Sequence, residues 1–188
     1  PFDMQKQTYS MSQPETVDFI ERFRAALDQY PGVFTVAEVG GPNPIGEMRA
    51  FTEGEARLNS AYSFDFLYAP DMSAKRVKEA VAQWTQSKEE GWPSWAFSNH
   101  DAPRAVSRWA SAEHQSDLAR VFLMLLLSLR GNPILYQGEE LGLPQAHVPF
   151  EHLKDPEAIA NWPKTLGRDG ARTPFPWDAN AHAAGFSS

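Results

Sequence analysis

The 188-residue chain contains no cysteine, which excludes a disulfide framework and any thiolate nucleophile. That absence fits a reducing compartment, and a cytoplasmic location is the expectation. Long hydrophobic runs are also missing. The apolar run from Val121 to Leu127 is too short to span a bilayer and is flanked by Arg120 and Arg130, so no membrane partner is expected. Positive charge is scarce: 17 Lys and Arg against 24 Asp and Glu leave a net charge of −7. Phosphate binding rests on clustered cations, so the charge argues against a nucleic-acid partner and none is expected. His114, His147, His152 and His182 show no metal-ligand spacing, and no metal site is expected. There is no low-complexity tract, no visible signal peptide and no initiator Met. The chain opens on Pro1-Phe2-Asp3 and stops at Gly185-Phe186-Ser187-Ser188, and both ends read as cut.

What the chain does have is aromatic mass, six Trp and twelve Phe. Such a load suits clefts that stack sugars, although most of these rings are expected in cores. Ser12-Gln13-Pro14-Glu15 reads as a capping box opening a helix, continued by Val17, Ile20, Phe23 and Leu27 and stopped by Pro31-Gly32. A strand is predicted from Val33 to Val39, a weaker one from Tyr62 to Leu67, and a helix from Ser73 to Ser87. A third strand ends at His100-Asp101, an apolar helix runs from Asp117 to Arg130, and Ile134-Leu135-Tyr136 forms a short strand. This alternation implies an α/β fold with a parallel sheet. The stretch from Leu141 to Trp177 lacks clear periodicity and reads as one long functional loop. About four strands are visible where a closed barrel needs eight and typically ~250 residues, so the expectation is the C-terminal part of a (β/α)8 barrel.

Two carboxylates stand at strand ends. Glu38 closes Val33-Phe34-Thr35-Val36-Ala37, and Asp101 follows Trp95-Ala96-Phe97 with His100 beside it. Barrels place chemistry at the C-terminal ends of strands, and two carboxylates at one mouth are what glycoside cleavage requires. The apolar run before Glu38 and the tight Gly40-Gly41 turn after it predict a partly desolvated carboxyl with a raised pKa. Asp101 has a plainer alternative as a helix N-cap or a partner of Arg104. Glu139-Glu140 reads as structural, capping a turn.

Thr35-Val36-Ala37-Glu38, Phe97-Ser98-Asn99-His100-Asp101 and Leu135-Tyr136-Gln137-Gly138-Glu139-Glu140-Leu141-Gly142 resemble conserved regions of the α-amylase superfamily, glycoside hydrolase family 13. The run Gly167-Arg168-Asp169-Gly170-Ala171-Arg172-Thr173-Pro174-Phe175-Pro176-Trp177 resembles its α-glucosidase and oligo-1,6-glucosidase branch, with Phe175 where that branch usually has Met. The resemblance implies that residues 1–188 form one partial catalytic barrel domain, from the helix before strand 5 through strand 8 and its following loop. It also implies that Glu38 is the general acid/base and Asp101 the stabiliser of an oxocarbenium-like transition state. His100 is implied to bond sugar hydroxyls, and Arg168 or Arg172 to hold the non-reducing-end glucose, with Arg168 preferred by its spacing from Asp101. A salt-bridge network under the loop is compatible with that role for either arginine.

The implied activity is a retaining α-glucosidase acting on short α-linked oligosaccharides, with no cofactor. Any Ca²⁺ bound by family members uses a loop upstream of Pro1. The family nucleophile, in a motif resembling Gly-Phe-Arg-x-Asp, is absent before Glu38; Asp3 and Asp18 are poor substitutes, so the isolated chain is expected to be inactive. Two other readings stay open: a glucosyl transferase or isomerase of the trehalose synthase or sucrose isomerase type, and a catalytically dead barrel acting as a binding subunit.

Overall fold

A computed structural model describes residues 8–85, 92–165 and 167–187. Asp3 and the expected helix end at Ser87 lie outside the described residues. The chain divides into two compact units. The first comprises Pro1–Phe66, Ser73–Trp95 and Leu129–Pro133; the second comprises Leu67–Met72, Ala96–Ser128 and Ile134–Ser188.

In the first unit, helix α1 (Thr16–Leu27) begins three residues later than the capping box predicts. Ser12 adopts a left-handed φ of 56° and spends its hydroxyl on Glu47, so no side chain caps the helix. Strand β1 (Val36–Val39) runs parallel to β2 (Ser60–Ser63), pairing Val36 with Ser60 through Val39 with Ser63. Their register is fixed at the entrance. Asn59 Oδ1 accepts from the Thr35 N–H and hydroxyl, while Thr35 Oγ1 accepts from the Asn59 N–H. That clamp starts β2 at Ser60, two residues before the position expected. Helix α2 (Pro44–Thr52), which the sequence reading lacks, supplies the crossover that parallel pairing demands. Asn43 caps it through Gly46 N–H with Pro44 in its first turn, but Gly46 and a short apolar pattern hide it. Helix α3 (Ala74–Thr85) follows, and its Ala80 and Trp84 are buried in the structure, as are Val39 and Met48.

Strand β3 (Ser94–Ala96) pairs with β4 (Asn132–Ile134) in a second two-stranded ladder. A polar belt marks its first-unit part: Ser60 and Ser94 share a 2.7 Å hydroxyl contact, Asn132 Nδ2 donates to both, and Trp95 Nε1 donates to Arg130 O. Gly131, at φ +140°, brings its backbone so near Pro93 that a Cβ would lie 2.5 Å from Pro93 O. Only glycine fits there.

The second unit is built on helices α4 (Ala105–Trp109) and α5 (Gln115–Ser128). Phe97, Trp109 and Phe122 stack edge to face in series, at 5.6 and 5.4 Å between centroids. Trp109 Nε1 donates to Ala69 O, which satisfies its one polar atom. Within the stretch read as a single loop, Asp155 and Pro156 open a short helix, α6 (Pro156–Asn161), and Asp169–Ala171 make a 3-10 turn.

The apolar surface of α5 is only partly buried. Leu126 is 1% exposed, whereas Met124 is 65% exposed, with Val121 and Leu127 beside it on the surface. In the first unit Phe19 and Phe23 of α1 and Val33, Phe34 and Val36 at β1 are exposed as well, and β1 pairs with β2 alone among the described residues. No helix among the described residues is long and apolar enough to cross a membrane.

Candidate active site

The chain leaves β3 through Phe97, Ser98 and Asn99, all buried, and then turns sharply. Asn99 Oδ1 accepts from Asp101 N–H at 2.9 Å and from Ala102 N–H at 2.7 Å, a side-chain-closed turn that needs an Asx residue at this position. Ser98 Oγ accepts from Ala105 N–H and fixes the start of α4. Between these two pins, His100 and Asp101 project outward with their side chains 52% and 30% exposed. Their nearest polar atoms, His100 Nε2 and Asp101 Oδ2, stand 3.6 Å apart, beyond hydrogen-bond length.

Asp101 Oδ1 receives two guanidinium groups. Arg172 Nη2 donates at 2.6 Å and Arg168 Nη1 at 3.4 Å, and Arg172 Nε donates to His100 O at 2.7 Å. Arg172 therefore grips both the carboxylate and the backbone of the His100-Asp101 pair. Arg168 reaches the same oxygen more loosely because its other edge is engaged: Nε and Nη2 donate to the two oxygens of Asp155 at 3.0 and 2.8 Å. The Arg168 side chain holds the Asp155 carboxyl well below the usual carboxylate range, against the opposing effect of burial. The same pairing raises the Arg168 pKa above its ordinary value.

The segment carrying both arginines is anchored from below. Ala171 O accepts from Arg104 Nη2 at 3.1 Å and from Tyr136 Oη at 2.9 Å, and Arg104 Nη1 donates to Gln137 O at 2.7 Å. Arg104 is 1% exposed, and its guanidinium lies over the Tyr136 ring. It thus makes no pair with Asp101, as the sequence had allowed; it turns inward, where backbone carbonyls take its Nη1 and Nη2. Burial lowers its pKa, and nearby Tyr136, Glu139 and Glu140 act against that shift. Glu139 and Glu140 close the turn after β4: Glu139 Oε2 accepts from Tyr136 N–H and Glu140 Oε2 from Gly138 N–H. Burial raises the Glu139 pKa, opposed by the Ser98 and Tyr136 hydrogen bonds and by Arg104 and Arg108.

The structure thus brings together His100, Asp101, Arg168 and Arg172 within the second unit. Glu38 belongs to the first unit, next to the buried Val39 at the end of β1. Its side chain is exposed, which corrects the expectation of a partly desolvated carboxyl: the residues that precede it, Val33, Phe34 and Val36, are themselves exposed and form no apolar wall around it. Two supporting residues escaped the sequence reading. Asp155 precedes Pro156, a pair able to open a helix, but its grip on Arg168, 13 residues away, leaves no mark in the sequence. Arg104 carried no signal beyond its place near Asp101. Among the described residues, no group of three or more His, Asp or Glu is arranged to hold a metal ion.

The α-amylase catalytic-domain profile matches residues 2–188. The chain belongs to the α-amylase catalytic-domain family. A protein of Rhizobium meliloti (strain 1021) named "Probable alpha-glucosidase" is 41% identical over 193 residues, covering all of this chain and 34% of that protein. The oligo-1,6-glucosidase of Parageobacillus thermoglucosidasius is 27% identical over 211 residues, covering 96% of this chain and 37% of that enzyme. The crystal structure of the α-glucosyl transfer enzyme XgtA superposes with a TM-score of 0.89 at 44% identity, covering 100% of this chain and 35% of that one. The fold of this α-amylase-family chain is accordingly α/β, part of a (β/α)8 barrel. The chain spans about a third of the length of the relatives it matches.

Proposed function

We propose that the chain is the acid-bearing part of a retaining α-glucosidase that releases terminal α-linked glucose from short oligosaccharides. In that reading the domain runs from the helix before barrel strand 5 to the loop after strand 8. The observation that carries it is the convergence of Arg168 and Arg172 on Asp101 Oδ1 beside exposed His100, in a chain of this family. Planar guanidinium forks suit both a carboxylate and the hydroxyls of a sugar, so one set of side chains orients the ring and balances charge.

Glu38 protonates the departing glycosidic oxygen while a carboxylate elsewhere in the protein attacks the anomeric carbon and forms a glycosyl ester. Glu38, now ionised, takes a proton from water as that water displaces the ester, which regenerates both groups. Asp101 carries negative charge beside the ring as positive charge develops on it, and His100 and the arginines bond its hydroxyls. Side chains alone supply this chemistry.

Transfer of glucose to an acceptor other than water is the second reading, favoured by the 44% identity to a structure titled an α-glucosyl transfer enzyme. One experiment addresses both. The intact protein that contains this chain is given p-nitrophenyl α-D-glucopyranoside, and nitrophenol and glucose are both counted. Equal yields support hydrolysis, glucose lagging behind nitrophenol supports transfer, and release of neither rejects both readings.

A further inference from the structure

We propose that Asp155 is a positioning residue, which locks the Arg168 guanidinium so that only its Nη1 edge faces Asp101 and the sugar. The inference rests on the glucosidase reading above for its kinetic readout. The side chain of Asp155 is 0% exposed, and a buried carboxylate persists only when its charge and lone pairs are matched. Four donors match it. Asp155 Oδ2 accepts from Arg168 N–H at 2.9 Å and Nε at 3.0 Å; Oδ1 accepts from Arg168 Nη2 at 2.8 Å and Glu157 N–H at 3.2 Å. Three of the four come from one arginine, gripped by main chain and side chain together.

Asp155 is itself held. Its own N–H and that of Lys154 donate to Asp169 Oδ2 at 2.9 and 2.8 Å, so the residue after Arg168 returns the constraint. Close approach is permitted by Gly167, at φ +63°. A Cβ there would lie 2.8 Å from Asp155 Oδ2 and 2.3 Å from Ala158 Cβ. With Nε and Nη2 committed to the buried carboxylate, the plane of the guanidinium is set, and Nη1 is what remains, 3.4 Å from Asp101 Oδ1. A free arginine would spread over many rotamers and could fold back onto Asp101 by its whole fork. Asp155 prevents that collapse and leaves Nη1 hydrogens for a sugar hydroxyl.

The test is a double-mutant cycle in the intact protein with p-nitrophenyl α-D-glucopyranoside. Asp155→Asn alone is expected to lower kcat/KM by roughly tenfold, mostly through KM, on the scale of one charge-assisted hydrogen bond. In an Arg168→Ala background the same change is expected to cost less than about threefold, because the group it positions is gone. Equal losses in both backgrounds would show that Asp155 acts only by capping α6 and would overturn the proposal. Arg168→Lys keeps the charge without the fork and serves if Asp155→Asn fails to fold; it should lose nearly as much as Arg168→Ala, and wild-type kinetics would overturn the proposal. If the wild-type protein cleaves no glucoside, the glucosidase reading falls while the positioning claim is read from a crystal structure of Asp155→Asn. There the freed fork should close onto Asp101, bringing a second guanidinium nitrogen of Arg168 within hydrogen-bond range of its carboxylate, and an unchanged single Nη1–Oδ1 contact would overturn it.

Discussion

Each unit carries a strand-end carboxylate, and the two sit in different local settings. Glu38 stands exposed on β1, next to the buried Val39. Asp101 is set by a turn closed through Asn99 and is touched by two guanidinium groups, each anchored in turn by Asp155 or by the His100 carbonyl. Asp101 is thus fixed by side-chain contacts inside its own unit, whereas Glu38 is placed by its position on a paired strand.

The largest expected effect breaks the comparison on its exposed side. Glu38→Gln keeps the shape and removes the proton, and kcat on the glucoside should fall by about 10²–10⁴-fold, the usual worth of general acid–base catalysis. A change under tenfold would deny Glu38 that role. Next come the arginines on the other side. Arg172→Ala should lower kcat/KM by roughly 10–100-fold, from the loss of charge-assisted hydrogen bonds. Arg168→Ala should cost less, since its contact with Asp101 is 3.4 Å against 2.6 Å for Arg172. The reverse order in measured kcat/KM would show that spacing from Asp101 in the sequence, which favours Arg168, is the better guide.

Stability should separate core from surface within the second unit. Leu126→Ala removes a side chain that is 1% exposed and should cost ~2–5 kcal/mol in denaturant unfolding. Met124→Gln, two residues earlier and on the surface, should stay within about 0.5 kcal/mol. The smallest effect is in pH. The Asp155 pKa is depressed on folding, so the folded state prefers the ionised form. Its stabilisation is full above the unfolded value of ~4 and is lost as pH falls through the lower folded value. The melting temperatures of wild type and Asp155→Asn should therefore converge as pH drops below ~4, and a gap that widens in acid would contradict the pairing.

Most of the α/β alternation was legible because β-branched runs and helical apolar spacing are local properties. The elements misplaced were those fixed by distant partners. Ser12 looks like a cap until Glu47 takes its hydroxyl, and β2 begins where Asn59 meets Thr35, 24 residues away. Helix α2 was hidden by its own Gly46, and α6 by its brevity. At the site, His100 and Asp101 could be singled out from strand-end position, and Arg168 and Arg172 from a resemblance. Arg104 could not, since a charged residue close to Asp101 gives no hint that it will bury itself beneath Ala171. Nor could the exposure of Glu38, which depends on what packs against Phe34 and Val36.

The most direct measurement is the configuration of the first sugar released. The intact protein would hydrolyse p-nitrophenyl α-D-glucopyranoside in deuterated buffer while proton NMR follows the anomeric signals before mutarotation mixes them. Glu38 acting as both acid and base around a covalent intermediate requires α-glucose to appear first, with β-glucose growing in only later. β-Glucose as the first product would mean a single displacement by water, and Glu38 and Asp101 could not hold the roles given to them here.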